Sequence, residues 1–266
     1  MASELRELAS VDGRITPTAE AMVPLRDDGL YRGDGAFEVI RLYEGKPFAL
    51  VDHLDRLEHS SAAIQLEFDR AALEGEIEAL LAELGDADGQ LRLIVTRGGR
   101  RLAMTEPIPA HADTVSLATV TYSPSVILNG VKSLSYAANM QSTRLAKAQG
   151  ADEAVLVTPS GIVLEPPTSS VFWVSPQGGL RTPALDNGVL ESITRDRLVK
   201  ALQVEEGSWP VEDLRAAGEA FLASTTREIQ AVSAVDGVEL GAAPGPVTRQ
   251  AQAAFAATLE RELGEG

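Results

Sequence analysis

The 266-residue sequence predicts an α+β (α/β) protein built of two domains. Three features carry that expectation. Short runs rich in β-branched and aromatic residues recur throughout, among them FEVIRLY, LRLIVTRG, TVSLATVTY and SVFWV. Between them lie segments with apolar residues three and four apart, the mark of helices with one buried face. The length also allows two domains to bury a core each.

In the first half, VDGRITP and AMVPL read as strands broken by turns, followed by the glycine-rich stretch RDDGLYRGDGA. FEVIRLYEGKPFALV reads as a hairpin turning at Glu44-Gly45-Lys46. A helix follows from about Asp52, with Leu54, Leu57, Ser61 and Ile64 on one face. A second, from about Asp69, carries Leu73, Ile77, Leu80 and Leu81. LRLIVTRG and TVSLATVTY are strands, so a small α/β domain covers residues 1–122, and SPSVILNG (123–130) reads as a linker. The larger domain, 131–266, opens on an extended piece carrying Lys132. A helix over 137–148 stops before Gly150, a residue type that readily ends helices. EAVLVT, GIVLE, SVFWV and GGLRTP form a meander of strands, and ITRDRLVKALQ is a helix. EAFLAST and AVSAVDGVEL are strands, and TRQAQAAFAATLERELG is an amphipathic terminal helix.

Composition removes several function classes. Acidic residues outnumber basic ones 39 to 23, giving a net charge of −16 that repels a phosphate backbone. There is no cysteine for a disulfide or thiolate metal site, and His53, His59 and His111 lack metal-ligand spacing. The N-terminal stretch lacks the apolar run of a signal peptide, and no apolar stretch is long enough to span a membrane. The expectation is a cytoplasmic enzyme without nucleic-acid or membrane partners.

Two residues suggest which chemistry. Lys132 stands in VKSLSYAANM, an extended apolar setting just before a helix, and Glu165 ends GIVLE. A lysine able to form a Schiff base and an acid able to hold a pyridinium proton are what pyridoxal phosphate chemistry needs most. Taken singly, the first also fits a lysine at the surface end of a strand, and the second an exposed strand-end acid. A phosphate anchor has two candidates: Ser192-Ile193-Thr194, just before a helix, and the hydroxyl-rich Ser224-Thr225-Thr226. Each also fits a simple cap or turn. Arg56 could clamp a phosphate or pair along its own helix with Asp52 or residues near Glu58.

In their order along the chain these blocks resemble class IV aminotransferases, the fold-type IV pyridoxal phosphate enzymes. That group includes D-amino-acid and branched-chain aminotransferases and 4-amino-4-deoxychorismate lyases. The resemblance runs through YRGDGAFEVIRLYEGKPFALVDHLDRLEHSSAAI, VTRG, KSLSYAANM, GADEAVLVTPSGIVLE, LRTPALDNGVLESITRDRL and STTREIQAVSAVDGVELG. It implies a small N-terminal α/β domain, a larger β-rich pseudo-barrel domain, and a homodimer with the pocket between the domains. It implies Lys132 as the Schiff-base lysine and Glu165 as the ring-nitrogen partner. Arg56, Ile193, Thr194 and Thr225 resemble the phosphate cup, and Tyr136 the contact to the cofactor's phenolic oxygen. Thr226 resembles a backbone contact to substrate carboxylate, and Tyr31, Phe37 and Arg41 wall the substrate pocket in relatives. Arg97, Arg100 and Arg101 lie on a loop that carries a carboxylate-binding arginine in D-amino-acid relatives, which makes Arg100 the candidate for substrate binding. The same loop also fits a solvated basic turn.

The sequence departs from the family pattern at several points. Ser170 stands where relatives usually carry asparagine, Pro166-Pro167-Thr168-Ser169 replaces a glycine-rich loop, and Ser192 and Ser224 replace glycines. The implied reaction is transfer of an amino group from a small-molecule donor to a keto acid. The alternative is pyruvate elimination from 4-amino-4-deoxychorismate, which uses the same lysine. A third reading, an inactive cofactor-binding homologue, is opposed by retention of both Lys132 and Glu165.

Overall fold

The computed structural model describes residues 5–264. The first four residues of the expected N-terminal domain and the last two of the C-terminal one lie outside it. Two compact units are present. Among the described residues, one holds residues 5–110, Val131–Tyr136 and residues 262–264; the other holds His111–Gly130 and Ala137–Arg261.

The first unit contains β1 (Leu8–Val11), β2 (Arg14–Pro17), α1 (Asp28–Arg32), β3 (Gly35–Tyr43) and β4 (Lys46–Pro47). It continues with α2 (Leu50–Ala63), α3 (Arg70–Leu84), β5 (Gly89–Thr96) and β6 (Arg101–Glu106). The strands form one antiparallel sheet in the order β2-β1-β6-β5-β3-β4. The β3–β4 hairpin turns at Glu44-Gly45, both at positive φ (49° and 77°), as a tight two-residue connection demands. Asp69 caps α3, its carboxylate accepting the Ala72 N–H at 3.0 Å. Leu54 and Leu57 of α2 and Leu73, Ile77 and Leu80 of α3 bury their apolar stripes against Ile40, Leu42, Leu91 and Leu93 of the sheet.

Two expectations fail here. AMVPL is not a strand: it lies between a short 3₁₀ turn and α1, with Met22 and Leu25 mostly exposed and no strand to pair with. The glycine-rich RDDGLYRGDGA contains the short helix α1, because Asp27 caps it by accepting the Gly29 N–H at 2.7 Å. Gly33, at φ 67°, ends it. Strand β6 has no counterpart among the expected elements. Its central LAMT lacks the β-branched run that reveals a strand, and pairing with β1 and β5 makes it one.

The second unit contains β7 (Thr114–Thr121), α4 (Ala137–Ala148), β8 (Glu153–Val157), β9 (Ser170–Val174), β10 (Leu180–Pro183) and α5 (Ile193–Ala201). After these come β11 (Val204–Gly207), α6 (Val211–Arg215), β12 (Glu219–Ser224), β13 (Glu228–Val235), β14 (Val238–Glu239) and α7 (Pro246–Gly264). An eight-stranded mixed sheet runs β11-β10-β9-β12-β13-β7-β8, with β14 paired to β13. Both of its faces are covered, so β8 reads as a continuous apolar run rather than an alternating one. Val155 and Val157 join the cluster of Val171, Trp173 and Leu222, while Ala154 and Leu156 face Ala146 of α4 together with Leu164 and Val189.

The unit boundary falls at Ala110 rather than at residue 122, because β7 pairs in parallel with β8 and β13. Val131–Tyr136, expected to open the larger domain, instead packs with the first unit by pairing with β3. GIVLE is not a regular strand. Ile162 and Val163 make isolated bridges to Pro210 and Val157. Leu156 still exchanges backbone hydrogen bonds with Leu164 and Glu165, so the segment follows β8 without forming a ladder. β11 and α6 are too short to announce themselves by periodicity.

Candidate active site

In the first unit the candidate residues gather around the start of β3. The Lys132 carbonyl accepts the Phe37 N–H at 3.1 Å, and the Leu134 N–H donates to Gly35 O at 2.9 Å. On its other side the Lys132 N–H donates to Ser60 Oγ of α2 at 3.1 Å. Gly35 is what permits this approach. A β-carbon there would strike the Val95 carbonyl oxygen and come within 2.6 Å of Leu134 Cδ1. With the backbone pinned from both sides, Lys132 Nζ stands 4.5 Å from the centroid of the Phe37 ring. Tyr136 meets that ring edge-on, with centroids 5.3 Å apart and planes at 87°. Lys132, Phe37 and Tyr136 are therefore one group.

Behind them lies a buried ionic cluster that the sequence did not disclose. Glu38, wholly inaccessible, accepts Arg56 Nε and Nη2, each at 2.7 Å, and pairs with His53 Nδ1 at 2.8 Å. Burial alone pushes the Glu38 carboxyl up, but the Arg56 charge and the hydrogen bonds of Arg56 and His53 bring it down to about 2. Burial holds His53 below its ordinary value against the pull of Glu38, so it is a neutral imidazole donating Nδ1–H to the carboxylate. Its Nε2 is buried with no hydrogen-bond partner. Arg56 thus pairs across to β3. His53, Arg56 and Ser60, spaced three and four apart, share one helix face. The signal that could have found Glu38 is a lone acid inside the apolar run GAFEVIRLY.

The remaining first-unit candidates sit on separate segments. Tyr31 lies on α1, 62% exposed. Arg100, in the β5–β6 turn, donates from Nη1 to Asp12 at 2.6 Å. Its neighbours are committed too. Arg97 holds Asp34 and the carbonyls of Ile64 and Gln65. Arg101 forks onto Glu76. Arg41 stacks over Tyr43 at 5.0 Å.

In the second unit the candidates come from turns and a helix start. Glu165 accepts the Leu190 N–H at 2.9 Å, which joins it to the segment leading into α5. Ser192 caps that helix, accepting the Arg195 N–H at 3.4 Å, and the first intrahelical bond runs from Asp196 N–H to Ser192 O. The N–H groups of Ile193 and Thr194 precede that bond, so they have no acceptor within the helix. Thr225 and Thr226 occupy the half-buried turn between β12 and β13. Ser170 stands opposite Ala223, one residue before that turn's first serine. The hydroxyls of Ser169 and Ser170 are buried without a partner.

This donor set fits an anion such as a phosphate. It combines the positive end of α5, free-standing hydroxyls and a turn of threonines, with a carboxylate nearby for a cationic ring nitrogen. Among the described residues no cluster of His, Cys, Asp or Glu could hold a metal. No helix there is long and apolar enough to cross a membrane.

Comparison with known proteins agrees with this chemistry. The model of the family "Amino-transferase class IV" matches residues 35–235. A D-alanine aminotransferase from Bacillus licheniformis is 32% identical over 96% of this chain and 98% of its own. An aminodeoxychorismate lyase from Bacillus subtilis is 27% identical over 96% of each. Among solved structures, one described as a hypothetical aminotransferase from Mycobacterium tuberculosis, in its α-ketoglutarate- and PMP-bound form, superposes with a TM-score of 0.83. It is 26% identical, over 94% of this chain and 98% of that one. Sequence, fold and donor chemistry converge: the chain belongs to the class IV aminotransferases, fold-type IV enzymes that depend on pyridoxal phosphate.

Proposed function

We propose that this chain transfers an amino group from an amino acid or primary amine to a 2-oxo acid, with Lys132 as the residue that joins the cofactor. The setting of Lys132 carries this reading. Its backbone is pinned on both sides, and its amine rests against the Phe37 ring. Pinning places one nitrogen reproducibly, which covalent and proton-transfer chemistry both require. The similarity to a relative named D-alanine aminotransferase supports an amino-acid donor.

When bound, the cofactor supplies an aldehyde carbon for the donor amine and a ring that draws electrons from its α-carbon. Lys132 Nζ would take the donor's α-proton and deliver it to the former aldehyde carbon, a different carbon from the one it left, while Phe37 and Tyr136 screen that nitrogen from water. Glu165 holds the proton of the ring nitrogen, its carboxylate aimed by the Leu190 N–H. Arg56, Ile193, Thr194 and Thr225 hold the phosphate, with Glu38 fixing one edge of the Arg56 guanidinium. Tyr136 addresses the ring oxygen. Tyr31, Phe37, Arg100 and the Thr226 N–H form the substrate side. The assembly is a homodimer in this reading, and the exposed apolar side chains of Met22, Leu25, Leu30 and Tyr31 support it. A cytoplasmic setting suits a chain without cysteine.

A second reading is pyruvate release from 4-amino-4-deoxychorismate to give 4-aminobenzoate. The similarity to the relative named aminodeoxychorismate lyase favours it. An absorbance scan of protein incubated with pyridoxal phosphate tests the shared step. A long-wavelength band is expected in the wild type and absent in Lys132→Ala, and a colourless wild type would overturn the assignment. D-alanine, L-leucine and (R)-1-phenylethylamine, each with 2-oxoglutarate or pyruvate, should then give amino transfer from at least one donor. Pyruvate from 4-amino-4-deoxychorismate, with no transfer from the others, would establish the lyase instead.

A further inference from the structure

We propose that Arg227 is a positioning residue for the cofactor's phosphate, its buried guanidinium fixing the β12–β13 turn that carries Thr225 and Thr226. This rests on the phosphate role assigned to Thr225 above. Arg227 follows those threonines directly, yet its side chain is only 8% exposed and that of its partner Glu153 10%. Nη2 donates to Glu153 Oε2 at 2.8 Å and to Thr168 Oγ1 at 3.3 Å, and Nη1 donates to Gln230 Oε1 at 2.8 Å. Thr168 Oγ1 in turn donates to Glu153 Oε1 at 3.3 Å, and Gln230 Nε2 to the Ala112 carbonyl at 2.7 Å. The Arg227 backbone N–H closes the turn on Ser224 Oγ at 3.4 Å.

One guanidinium therefore ties four segments of the second unit together: the start of β8, the loop after Glu165, the turn, and β13. Turns at hairpin ends are ordinarily the mobile parts of a sheet. Burying a charge to hold one is costly, and geometry is what such a pair secures when its hydrogen bonds are well made. Both terminal nitrogens of the guanidinium are spent on Glu153, Thr168 and Gln230, and its Nε is buried without a partner. What it sets is the position of the Thr225 and Thr226 backbone and hydroxyls. Thr168 lies three residues after Glu165, so the same clamp reaches the loop that follows the ring-nitrogen acid. Pro166-Pro167-Thr168, a departure from the family's glycine-rich loop, supplies the hydroxyl that reaches the clamp.

Binding titrations of the purified chain with pyridoxal phosphate and with pyridoxal, which lacks the phosphate, separate positioning from folding. Arg227→Lys keeps the charge against Glu153 but loses the fork, and Arg227→Met/Glu153→Met removes the pair without stranding either charge. Both should remain folded by circular dichroism. In the double variant the Kd for pyridoxal phosphate should rise about tenfold or more, the size of one charge-assisted hydrogen bond lost, while the Kd for pyridoxal moves less than about twofold. Arg227→Lys should show the same selectivity with a smaller rise. Equal losses for both ligands, no loss for either, or unfolding of both variants would overturn the proposal. A wild type that binds neither ligand would instead remove the functional assignment on which the proposal rests.

Discussion

The two units hold their candidate residues with different materials. In the first, Lys132, Phe37 and Arg56 belong to a strand edge and a helix face locked by the fully buried Glu38. In the second, Glu165, Ile193 and Thr194 stand on a turn and a helix start held mainly by backbone N–H groups and hydroxyls, and only behind the Thr225 turn does a buried ion pair, Arg227–Glu153, stand among these contacts. A buried ionic lock fails abruptly when one partner goes, because the remaining charges are stranded out of water. A neutral hydrogen bond at a turn is worth far less, so its loss loosens geometry before it costs stability. The first unit should therefore report damage as unfolding, and the second as weakened binding.

The largest expected effect tests that contrast directly. Glu38→Ala strips Arg56 and His53 of their shared acceptor and should cost about 3–5 kcal/mol of stability. Glu165→Ala removes the acceptor of the Leu190 N–H, a hydrogen bond worth about 1.5 kcal/mol, and should abolish amino transfer at a smaller cost in stability than Glu38→Ala. Urea denaturation of the two variants decides the matter. Equal costs would break the comparison.

That asymmetry also explains what the sequence discloses. Lys132, Glu165 and Ser192-Ile193-Thr194 stand out as candidates in the sequence because each sits beside a local pattern: an apolar run, a helix cap or a hydroxyl cluster. The long helices α2, α3 and α7 are legible from periodicity. Glu38 is not, since its partners are 15 and 18 residues away and meet it only when α2 folds onto β3. Arg227 is hidden for the same reason, its partner Glu153 lying 74 residues off. The placement of Val131–Tyr136 with the first unit rests on Gly35, whose missing side chain is a space that no pattern announces. β6 became a strand through its neighbours alone.

A smaller effect belongs to the cap of α5. Ser192→Ala removes the acceptor of the Arg195 N–H and should cost about 1 kcal/mol. Its frayed first turn should also weaken pyridoxal phosphate binding more than pyridoxal binding. A loss of stability with cofactor affinity unchanged would show that this helix start holds no phosphate.

Acid stability sharpens the comparison from the other side. His53, faced by Glu38, Arg56 and Lys132, is held below 6.5 in the folded chain. As pH falls through 6.5 the unfolded chain takes up a proton that the folded imidazole refuses, so stability declines. Glu38 adds a second decline, because its folded value of about 2 lies below the ordinary carboxyl value of 4.5. Its contribution is fully present above 4.5 and is lost as pH falls toward 2. Thermal melts of the wild type between pH 7 and 5 should therefore slope downward, and His53→Gln should flatten that slope. An unchanged slope would assign the acid sensitivity elsewhere.

The smallest effect on stability separates two arginines that the sequence presents alike. Arg97 spends its nitrogens on Asp34, Ile64 O and Gln65 O, so its work is to hold loops of the first unit. Arg100 pairs with Asp12, and both side chains are partly open to water, at 37% and 26%. Such a pair is worth at most about 1 kcal/mol, so an incoming carboxylate can compete for the guanidinium at little cost. Arg100→Gln should thus leave the melting temperature nearly unchanged while raising KM for a 2-oxo acid about tenfold, the worth of one ionic hydrogen bond. Turnover of an amine donor lacking a carboxylate should be spared in the donor half-reaction. Arg97→Gln should do the reverse, lowering stability and leaving KM alone. If neither substitution moves KM, the substrate carboxylate is met elsewhere, and the Thr226 N–H is the remaining donor on the second unit's turn.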